Sequence, residues 1–368
     1  MRFPSAYLEW YVSIPHVKYD FRSSGLSNFK YALTLDKADL SANYVHGNPE
    51  TAKLLAQRYN VKPENIFVSG SGASGQNARI AKFLAEVNGK KTEAIVEYPT
   101  YEPLLRQVQE HFPQVKRLER KENEEYKLDA DVLRKMVSDK TGLLMITNPH
   151  APSGTISDKS ELEEIMTVAQ EYGFYMICDE IYAEFERKTV QSAFHINSEL
   201  SIVTTSFSKA YGLGGLKIGI ALAEKSLVDK LYADMLSNEG NSPNIVNLVT
   251  NELLTKGKET LEKHKQKWTK LKTETEKLLN EQGLEFYPNK AGITYWVKLP
   301  VKDTYRWTNE HTIPHYSLAP VPGTFFLFKN DYTLKKSDKI RLGLGNVNPD
   351  EPCLTEAVEA LKQAINTY

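Results

Sequence analysis

Short apolar runs alternate with longer amphipathic stretches over residues 61–223 of the chain. Runs of three to five apolar residues separated by helix-length segments predict strands that are joined by helices. The predicted strands are 66–68, 94–96, 143–147, 174–178, 201–205 and 218–222, and the predicted helices are 74–87, 104–111 and 160–172. Such alternation is typical of the α/β class with a mostly parallel sheet, in which ligands bind where the strands end.

The pattern changes after Ala223. We predict a helix at 227–236 and a Lys- and Glu-rich helical stretch at 247–280 that packs one face and exposes the other. Strands at 292–299, 323–328 and 339–344 and a helix at 354–366 complete the chain. We therefore predict a large domain at 30–235 and a smaller α+β domain built from 1–29 plus 236–368.

Composition limits the classes of partner. The 368 residues carry a formal net charge of −1, so no electrostatic argument favours nucleic acid or an acidic membrane. Only two cysteines occur, Cys178 and Cys353, as expected in a reducing compartment. No signal-peptide pattern opens the chain, and no apolar run approaches the roughly 20 residues of a membrane span. We expect a soluble, cytoplasmic protein with neither nucleic acid nor membrane as a partner.

A glycine-rich turn follows the first predicted strand. Gly70, Gly72 and Gly75 form G-x-G-x-x-G before a helical pattern, and Glu97 lies at the distance of a ribose-binding acid. This arrangement predicts either a dinucleotide site or a site for another phosphate at the helix N-terminus.

A lysine follows the predicted strand 201–205. Lys209 lies among Ser206, Ser208 and a cluster of glycines, between two apolar strands. A desolvated lysine has a lowered pKa and becomes the nucleophile that Schiff-base chemistry needs. From this segment alone, a surface lysine in a turn is an equally good interpretation.

An acid follows the apolar run 174–178. Asp179 at a strand end requires a cation or several hydrogen-bond donors, and a protonated pyridine nitrogen would serve. Helix capping or a structural ion pair are the alternatives. Tyr182 lies three residues further on, where it points into the same space or packs in the core. His311 and His315 are interpreted as surface or packed histidines, and no metal site is predicted.

Together these segments resemble the pyridoxal-phosphate-dependent aminotransferases of class I/II, which have fold type I and belong to the aspartate aminotransferase superfamily. The resemblance covers nearly the whole chain in order, and it implies a mostly parallel sheet in a large domain beside a smaller α+β domain. The matching segments are GAS (72–74), YPTY (98–101), NPHAPSG (148–154), DEIY (179–182), SFSKAYGLGGLKIG (206–219) and KIRLG (339–343).

The resemblance implies pyridoxal 5′-phosphate as the cofactor and a ping-pong transamination. Lys209 would form the internal aldimine and move the proton, Asp179 would keep the pyridine nitrogen protonated, and Tyr182 would donate to the ring O3′. Arg341 would bind the substrate α-carboxylate, and Gly25 would line the substrate entrance. The implied cofactor-binding residues are Tyr44, Ala73, Ser74, Tyr101, Asn148, Asp179, Tyr182, Ser206, Ser208, Lys209 and Lys217.

Two positions depart from the family motifs, and a third position implies that two subunits assemble. Ala151 stands where the family has an asparagine that bonds O3′, and Lys217 stands where it usually has arginine. Neither removes a group essential to transamination, although both leave a specialised chemistry open. Tyr44 lies where the family has a tyrosine that reaches the partner subunit's phosphate, which implies a homodimer.

The best interpretation is an aminotransferase of amino-acid metabolism, with a biosynthetic role, that acts on an aspartate- or glutamate-type amino acid and a 2-oxo acid. Histidinol-phosphate or aromatic aminotransferases, a decarboxylase or lyase on the same scaffold, and a non-catalytic ligand-binding module are the alternatives. A dinucleotide oxidoreductase fits less well, because the aromatic turn 98–101 follows Glu97 at once and is suited to covering a flat ring. The glycine-rich turn then holds the cofactor's single phosphate.

Overall fold

The structure, a computed structural model, describes residues 5–27, 39–87, 89–330, 333–347 and 353–368. Its strands are β1 Tyr19–Asp20, β2 Ile66–Ser69, β3 Glu93–Tyr98, β4 Gln114–Glu119, β5 Thr141–Thr147, β6 Tyr175–Asp179, β7 Ser201–Thr205, β8 Gly219–Leu222, β9 Glu285–Phe286, β10 Thr294–Lys298, β11 Leu318–Ala319, β12 Val321–Pro322 and β13 Lys339–Gly343. Its α-helices are α1 Ala6–Ser13, α2 Pro49–Tyr59, α3 Gly72–Val87, α4 Glu102–Gln109, α5 Ala130–Met136, α6 Lys159–Tyr172, α7 Lys225–Asn238, α8 Asn244–Lys256, α9 Lys258–Glu281, α10 Thr304–Trp307, α11 Ile313–Tyr316 and α12 Cys353–Asn366.

Seven strands form the central sheet in the order β2-β8-β7-β6-β5-β3-β4. All pairs are parallel except those of β8, which runs antiparallel to both β2 and β7. The predicted α/β class with a mostly parallel sheet is therefore confirmed.

Both faces of this sheet are buried. Along β5, Leu144 and Ile146 pack in one apolar cluster, whereas Leu143 and Met145 pack in another. Successive strand side chains point to opposite faces, so a strand covered on both sides needs a continuous apolar run. This burial explains why the central strands could be recognised as short apolar runs.

A second sheet of four strands has the order β12-β13-β10-β9 and is antiparallel throughout. It lies within residues 285–343, whereas the seven-stranded sheet lies within residues 66–222. The division into domains at 30–235 and at 1–29 plus 236–368 stays a prediction.

Two predicted elements differ from the structure. The stretch 247–280 is two helices, α8 and α9, that meet at Gly257, and α9 buries one stripe that includes Trp268 and Leu271. The predicted strand at 323–328 is wrong, because Gly323–Phe326 forms a 3₁₀ turn. Among the described residues, no helix combines the length and apolar character needed to cross a bilayer.

Candidate active site

Six strands of the central sheet end at one edge, including β4, which is parallel to β3. The strands β3, β5, β6 and β7 pair in parallel, and β2 points the same way because β2 and β7 are both antiparallel to β8. A cavity of about 240 Å³ opens at this edge, as expected for an α/β sheet. Its lining includes Ser24, Gly72, Ala73, Ser74, Tyr101, Leu104, Thr147, Ala151, Asp179, Ile181, Tyr182, Ser208, Lys209, Lys217, Thr294, Phe326 and Arg341.

Lys209 lies in the turn after β7, and its Nζ donates to Ser24 Oγ at 2.9 Å. Burial lowers the pKa of Lys209 to about 8, the positive charges of Arg341 and Lys217 act in the same direction, and Asp179 opposes them. The interpretation as an ordinary surface lysine is therefore wrong. A lysine with this pKa has more free amine near neutral pH than an exposed one.

Asp179 ends β6 and faces the cavity. Its carboxylate accepts from Asn77 Nδ2 at 2.7 Å and from the backbone N–H of Ile181 at 3.0 Å. Burial nevertheless raises the pKa of Asp179 to about 6. Asn77 is oriented in turn, because its Oδ1 accepts from Thr204 Oγ1 at 2.6 Å.

The start of α3 also lines the cavity. Gly72 begins this helix with a φ of 70°, which favours glycine, and its N–H donates to the Lys217 carbonyl at 2.6 Å. Ala73 and Ser74 belong to the first helical turn, whose N–H groups have no intrahelical acceptor. With the Lys217 side chain also in the lining, this part of the cavity is suited to an anion.

Arg341 lies on β13 of the second sheet and is only 3% exposed. Its guanidinium donates to the Arg22 carbonyl and, at 3.5 Å, to the Tyr7 hydroxyl. Its Nε is buried and has no hydrogen-bond partner among the described residues. A buried guanidinium with an unused donor beside a cavity is suited to a carboxylate ligand.

Two tyrosines complete the walls. Tyr101 immediately precedes α4, and its ring contacts the ring of Tyr7 edge-on, with centroids 5.5 Å apart. Tyr182 is 9% exposed and lines the cavity together with Ser24. Burial raises the pKa of Tyr182, so that its hydroxyl stays protonated at neutral pH.

Four predicted site residues lie outside this lining. Asn148 is fully buried, and its side chain binds the backbone of Ser157 and Gln191, so the structure does not bring it to the cavity as predicted. Ser206 supports the site indirectly, by donating to Ser208 Oγ at 3.1 Å. Asn148 thus shapes the turn after β5, and its contact with the cofactor stays a prediction.

Gly25 and Tyr44 are the other two. Gly25 lies against Lys209, since a Cβ on Gly25 would come within 2.9 Å of Lys209 Cδ. Tyr44 lies in a turn outside the cavity, where its carbonyl accepts from the N–H of Gly47. Its role at a partner subunit stays a prediction.

Sequence reasoning missed Ser24, Asn77 and Tyr7. Asn77 lies one helical turn after Ala73, so a polar residue on the buried face of α3 was a usable signal. Ser24 reaches the cavity, and Tyr7 contacts the lining residues Arg341 and Tyr101, through long-range packing for which the sequence offers no local signal.

The dinucleotide interpretation fails on two observations. Glu97 is fully buried in an ion pair with Arg120 at 2.9 Å and accepts from the N–H of Thr147 at 2.8 Å, so it is not available to a ribose. Among the described strands, β2 before the glycine-rich turn pairs only with β8 and is not adjacent to β3, so these strands do not form the βαβ unit of a dinucleotide fold.

The fold and the cavity define a class of protein: an α/β chain with a desolvated lysine between a buried acid and a buried arginine. A family model for the class I and II aminotransferases matches residues 35–361. The chain therefore belongs to this family.

The relatives that this chain resembles are named after different substrates. The histidinol-phosphate aminotransferase of Caldicellulosiruptor saccharolyticus is 32% identical over 209 residues, which are 55% of this chain and 56% of the relative. The aspartate aminotransferase of Pyrococcus abyssi is 26% identical over 215 residues, which are 56% and 54% of the two chains. The chain spans about half the length of the curated relatives it matches.

A solved structure matches the fold of the whole chain. A PLP-dependent aminotransferase from Streptococcus suis superposes with a TM-score of 0.84, covering 100% of this chain and 98% of its own, at 23% identity. The predicted fold type is thereby confirmed.

Proposed function

We propose that the protein is an aminotransferase that moves an amino group between an L-amino acid and a 2-oxo acid, with pyridoxal 5′-phosphate as its cofactor. The observation that carries the proposal is the joint position of Lys209, Asp179 and Arg341 in one cavity. The reaction requires three protein groups: a nucleophilic amine, an acid and a cation that binds the substrate carboxylate.

The described residues fit this cofactor. Asp179 uses two donors, which leaves carboxylate lone pairs for a cationic ring nitrogen. Ala73, Ser74 and Lys217 would hold the phosphate at the start of α3. Ser208 would contact the phosphate, and Tyr101 would stack on the ring. When bound, the cofactor supplies an aldehyde for amines and a conjugated ring that accepts electrons from Cα.

The chain's own groups account for binding and proton transfer. Arg341 binds the α-carboxylate through N–H donors that the fold leaves unused, and so fixes the substrate Cα relative to Lys209. Lys209 Nζ, whose pKa is about 8, takes a proton from the substrate Cα and later returns one. The Tyr182 hydroxyl stays protonated and is a hydrogen-bond donor beside this amine.

The substrate side chain has two candidates. Aspartate or glutamate is the first, in line with the expectation from the sequence. A donor with an uncharged, apolar side chain is the second, because Leu104, Ile181 and Phe326 contribute apolar lining to the cavity that contains Arg341. Half-reactions with a panel of amino donors separate the two candidates.

We also infer a homodimer in which Tyr44 reaches the partner's phosphate site. Leu40 and Val45, on either side of Tyr44, are 65% and 39% exposed, which leaves apolar surface for a second copy. A cytoplasmic location and a role in amino-acid biosynthesis accompany this proposal.

The test is reconstitution with pyridoxal phosphate, followed by an assay of products with 2-oxoglutarate as acceptor. The wild-type chain is expected to acquire the visible absorption of a lysine-bound cofactor and to form glutamate. Lys209→Ala should lose both properties, whereas Lys256→Ala, at an exposed lysine on α8, should keep both.

Other products would favour the alternatives. Carbon dioxide or an eliminated side chain without glutamate would indicate a decarboxylase or a lyase. A wild-type protein that binds no cofactor, or whose absorption survives Lys209→Ala, would contradict the aminotransferase proposal and favour a ligand-binding module.

A further inference from the structure

Ser24 lies between two groups of the candidate active site. Lys209 Nζ donates to Ser24 Oγ at 2.9 Å, and Tyr182 lines the same cavity, where Ser24 lowers the pKa of the Tyr182 hydroxyl as a hydrogen-bond donor would. We propose that Ser24 is a positioning residue, which links the Lys209 amine to the Tyr182 hydroxyl and directs proton transfer at the site. This inference rests on the proposed function and adds a residue to it.

The hydrogen bonds have a defined direction. Because Lys209 donates to the Ser24 oxygen, the Ser24 proton is free to point at the Tyr182 oxygen. A hydroxyl that accepts from one group and donates to the next connects the two in a chain, and such chains strengthen each member.

The backbone around Ser24 is held in place. In segment 21–27, the N–H of Leu26 donates to the Lys209 carbonyl at 3.0 Å, and the Ser23 carbonyl accepts from the N–H of Gly345 at 3.0 Å. The absence of a side chain on Gly25 permits this close approach to Lys209. The position of Ser24 Oγ is thus set by main-chain bonds to two separate parts of the fold.

Neighbouring wall residues do not offer the same group. Ala151 presents only a methyl group at the position where the family motif has a donor. The Thr147 hydroxyl is used, since it donates to Glu97 at 2.5 Å and accepts from the N–H of Ala151 at 2.9 Å. Ser24 therefore contributes a hydroxyl where Ala151 and Thr147 cannot.

Carboxylate binding is separate from this contact. Arg341 donates to the carbonyl of Arg22, a main-chain atom that substitution of the Ser24 side chain does not remove. Loss of the Ser24 hydroxyl is therefore expected to change kcat and the protonation of Lys209, and to leave KM for the amino donor nearly unchanged.

The experiment compares Ser24→Ala, Ser24→Cys and Ser24→Thr with Ser27→Ala as the matched control. Ser27 belongs to the same segment, is exposed, and bonds Ser23 and the Gly25 carbonyl. The first measurement is the rate of Lys209 acetylation against pH, read by peptide mass spectrometry on the full chain stripped of cofactor. The second is the half-reaction of the reconstituted protein with an amino donor.

In the wild type the acetylation midpoint is expected near pH 8. Ser24→Ala and Ser24→Cys should lower it by roughly 0.5–1 pH unit, because the ammonium form loses its acceptor. In the half-reaction their kcat should fall about 5- to 10-fold with KM within about 2-fold. Ser24→Thr, which keeps the hydroxyl, and Ser27→Ala should match the wild type.

Equal midpoints and equal kcat in Ser24→Ala, Ser24→Cys and wild type would overturn the proposal. So would equal shifts in Ser27→Ala, because that result would indicate a general effect of the segment. The acetylation measurement needs neither cofactor nor turnover, so it reports on Ser24 even where transamination itself is not found.

Discussion

Burial acts in opposite directions on the two central side chains of the site. It lowers the pKa of Lys209 to about 8 and raises that of Asp179 to about 6. The cavity also contains Lys217 and Arg341, so its cationic side chains outnumber its acid. An excess of positive charge in a buried cleft suits a ligand with a phosphate and a carboxylate.

The same burial predicts how the stability of the cofactor-free chain depends on pH. The folded-state pKa of Lys209 lies below its ordinary value of 10.5, so the unfolded chain binds more protons between about pH 8 and 10.5. This group therefore destabilises the fold at neutral pH, and the free energy of unfolding recovers by at most about 3 kcal/mol as pH rises through that window.

Urea unfolding at pH 7 and pH 10.5 measures this contribution. Lys209→Met should be more stable than the wild type at pH 7 and lose that advantage at pH 10.5. An advantage of the same size at both pH values would show that Lys209 contributes through packing and not through its protonation.

At the scale of elements, Glu102 joins α4, which contributes Leu104 to the cavity, to α1. Glu102 begins α4 and is 1% exposed, and its carboxylate accepts from Ser5 Oγ and the N–H of Ala6 at 2.9 Å and the N–H of Tyr7 at 2.6 Å. A carboxylate at a helix N-terminus satisfies free N–H groups and the helix dipole. It thereby holds α1, and with it the Tyr7 ring, against the ring of Tyr101.

We predict that Glu102→Gln weakens this docking. An amide has one acceptor oxygen where three donors converge, so the free energy of unfolding should fall by about 1–2 kcal/mol. KM for the amino donor should rise a few fold, because Tyr7 contacts Arg341. Denaturant unfolding and half-reaction kinetics test this, with Glu110→Gln at the exposed end of α4 as control. An unchanged KM in Glu102→Gln would show that the docking of α1 does not affect substrate binding.

The elements differ in how far their sequences predict them. The strand β7 was predicted at its observed bounds, because the apolar pair Ile202 and Val203 is followed by two β-branched threonines, residue types that favour strands. The strand β4 was missed, since Gln114–Glu119 is largely polar and lies at the edge of the sheet. The antiparallel direction of β8 has no local signal, because it depends on long-range pairing.

The candidate site follows the same distinction. Lys209, Asp179 and Arg341 were predictable because each lies in a sequence motif, the first two at or after strand ends and Arg341 within β13. Ser24 and Asn77 were not predicted, because their roles come from contacts across 185 and 102 residues of sequence. Local sequence patterns identify the site residues themselves, whereas long-range packing determines which other side chains orient those residues.

At the scale of the whole molecule, the proposed dimer makes each site depend on two chains. The segment 39–47, which carries Tyr44, is held from one side, since Asn244 of α8 donates to the Asp39 carbonyl at 2.7 Å. Leu40 and Val45 remain exposed beside it. A tyrosine outside its own cavity is expected to act in the partner's cavity if a second copy covers this surface.

Hybrid dimers test that arrangement directly. If Tyr44 serves the partner's site, a purified hybrid of one Lys209→Ala chain and one Tyr44→Phe chain contains one site with both native groups. At limiting cofactor it should show about half the wild-type activity, whereas Tyr44→Phe homodimers should bind cofactor roughly tenfold more weakly because a hydrogen bond to a charged phosphate is lost. If Tyr44 served its own chain, neither site of the hybrid would be native, and its activity would not exceed the mean of the two parent homodimers. Sedimentation of the wild type as a monomer that still binds cofactor tightly would exclude the dimer itself.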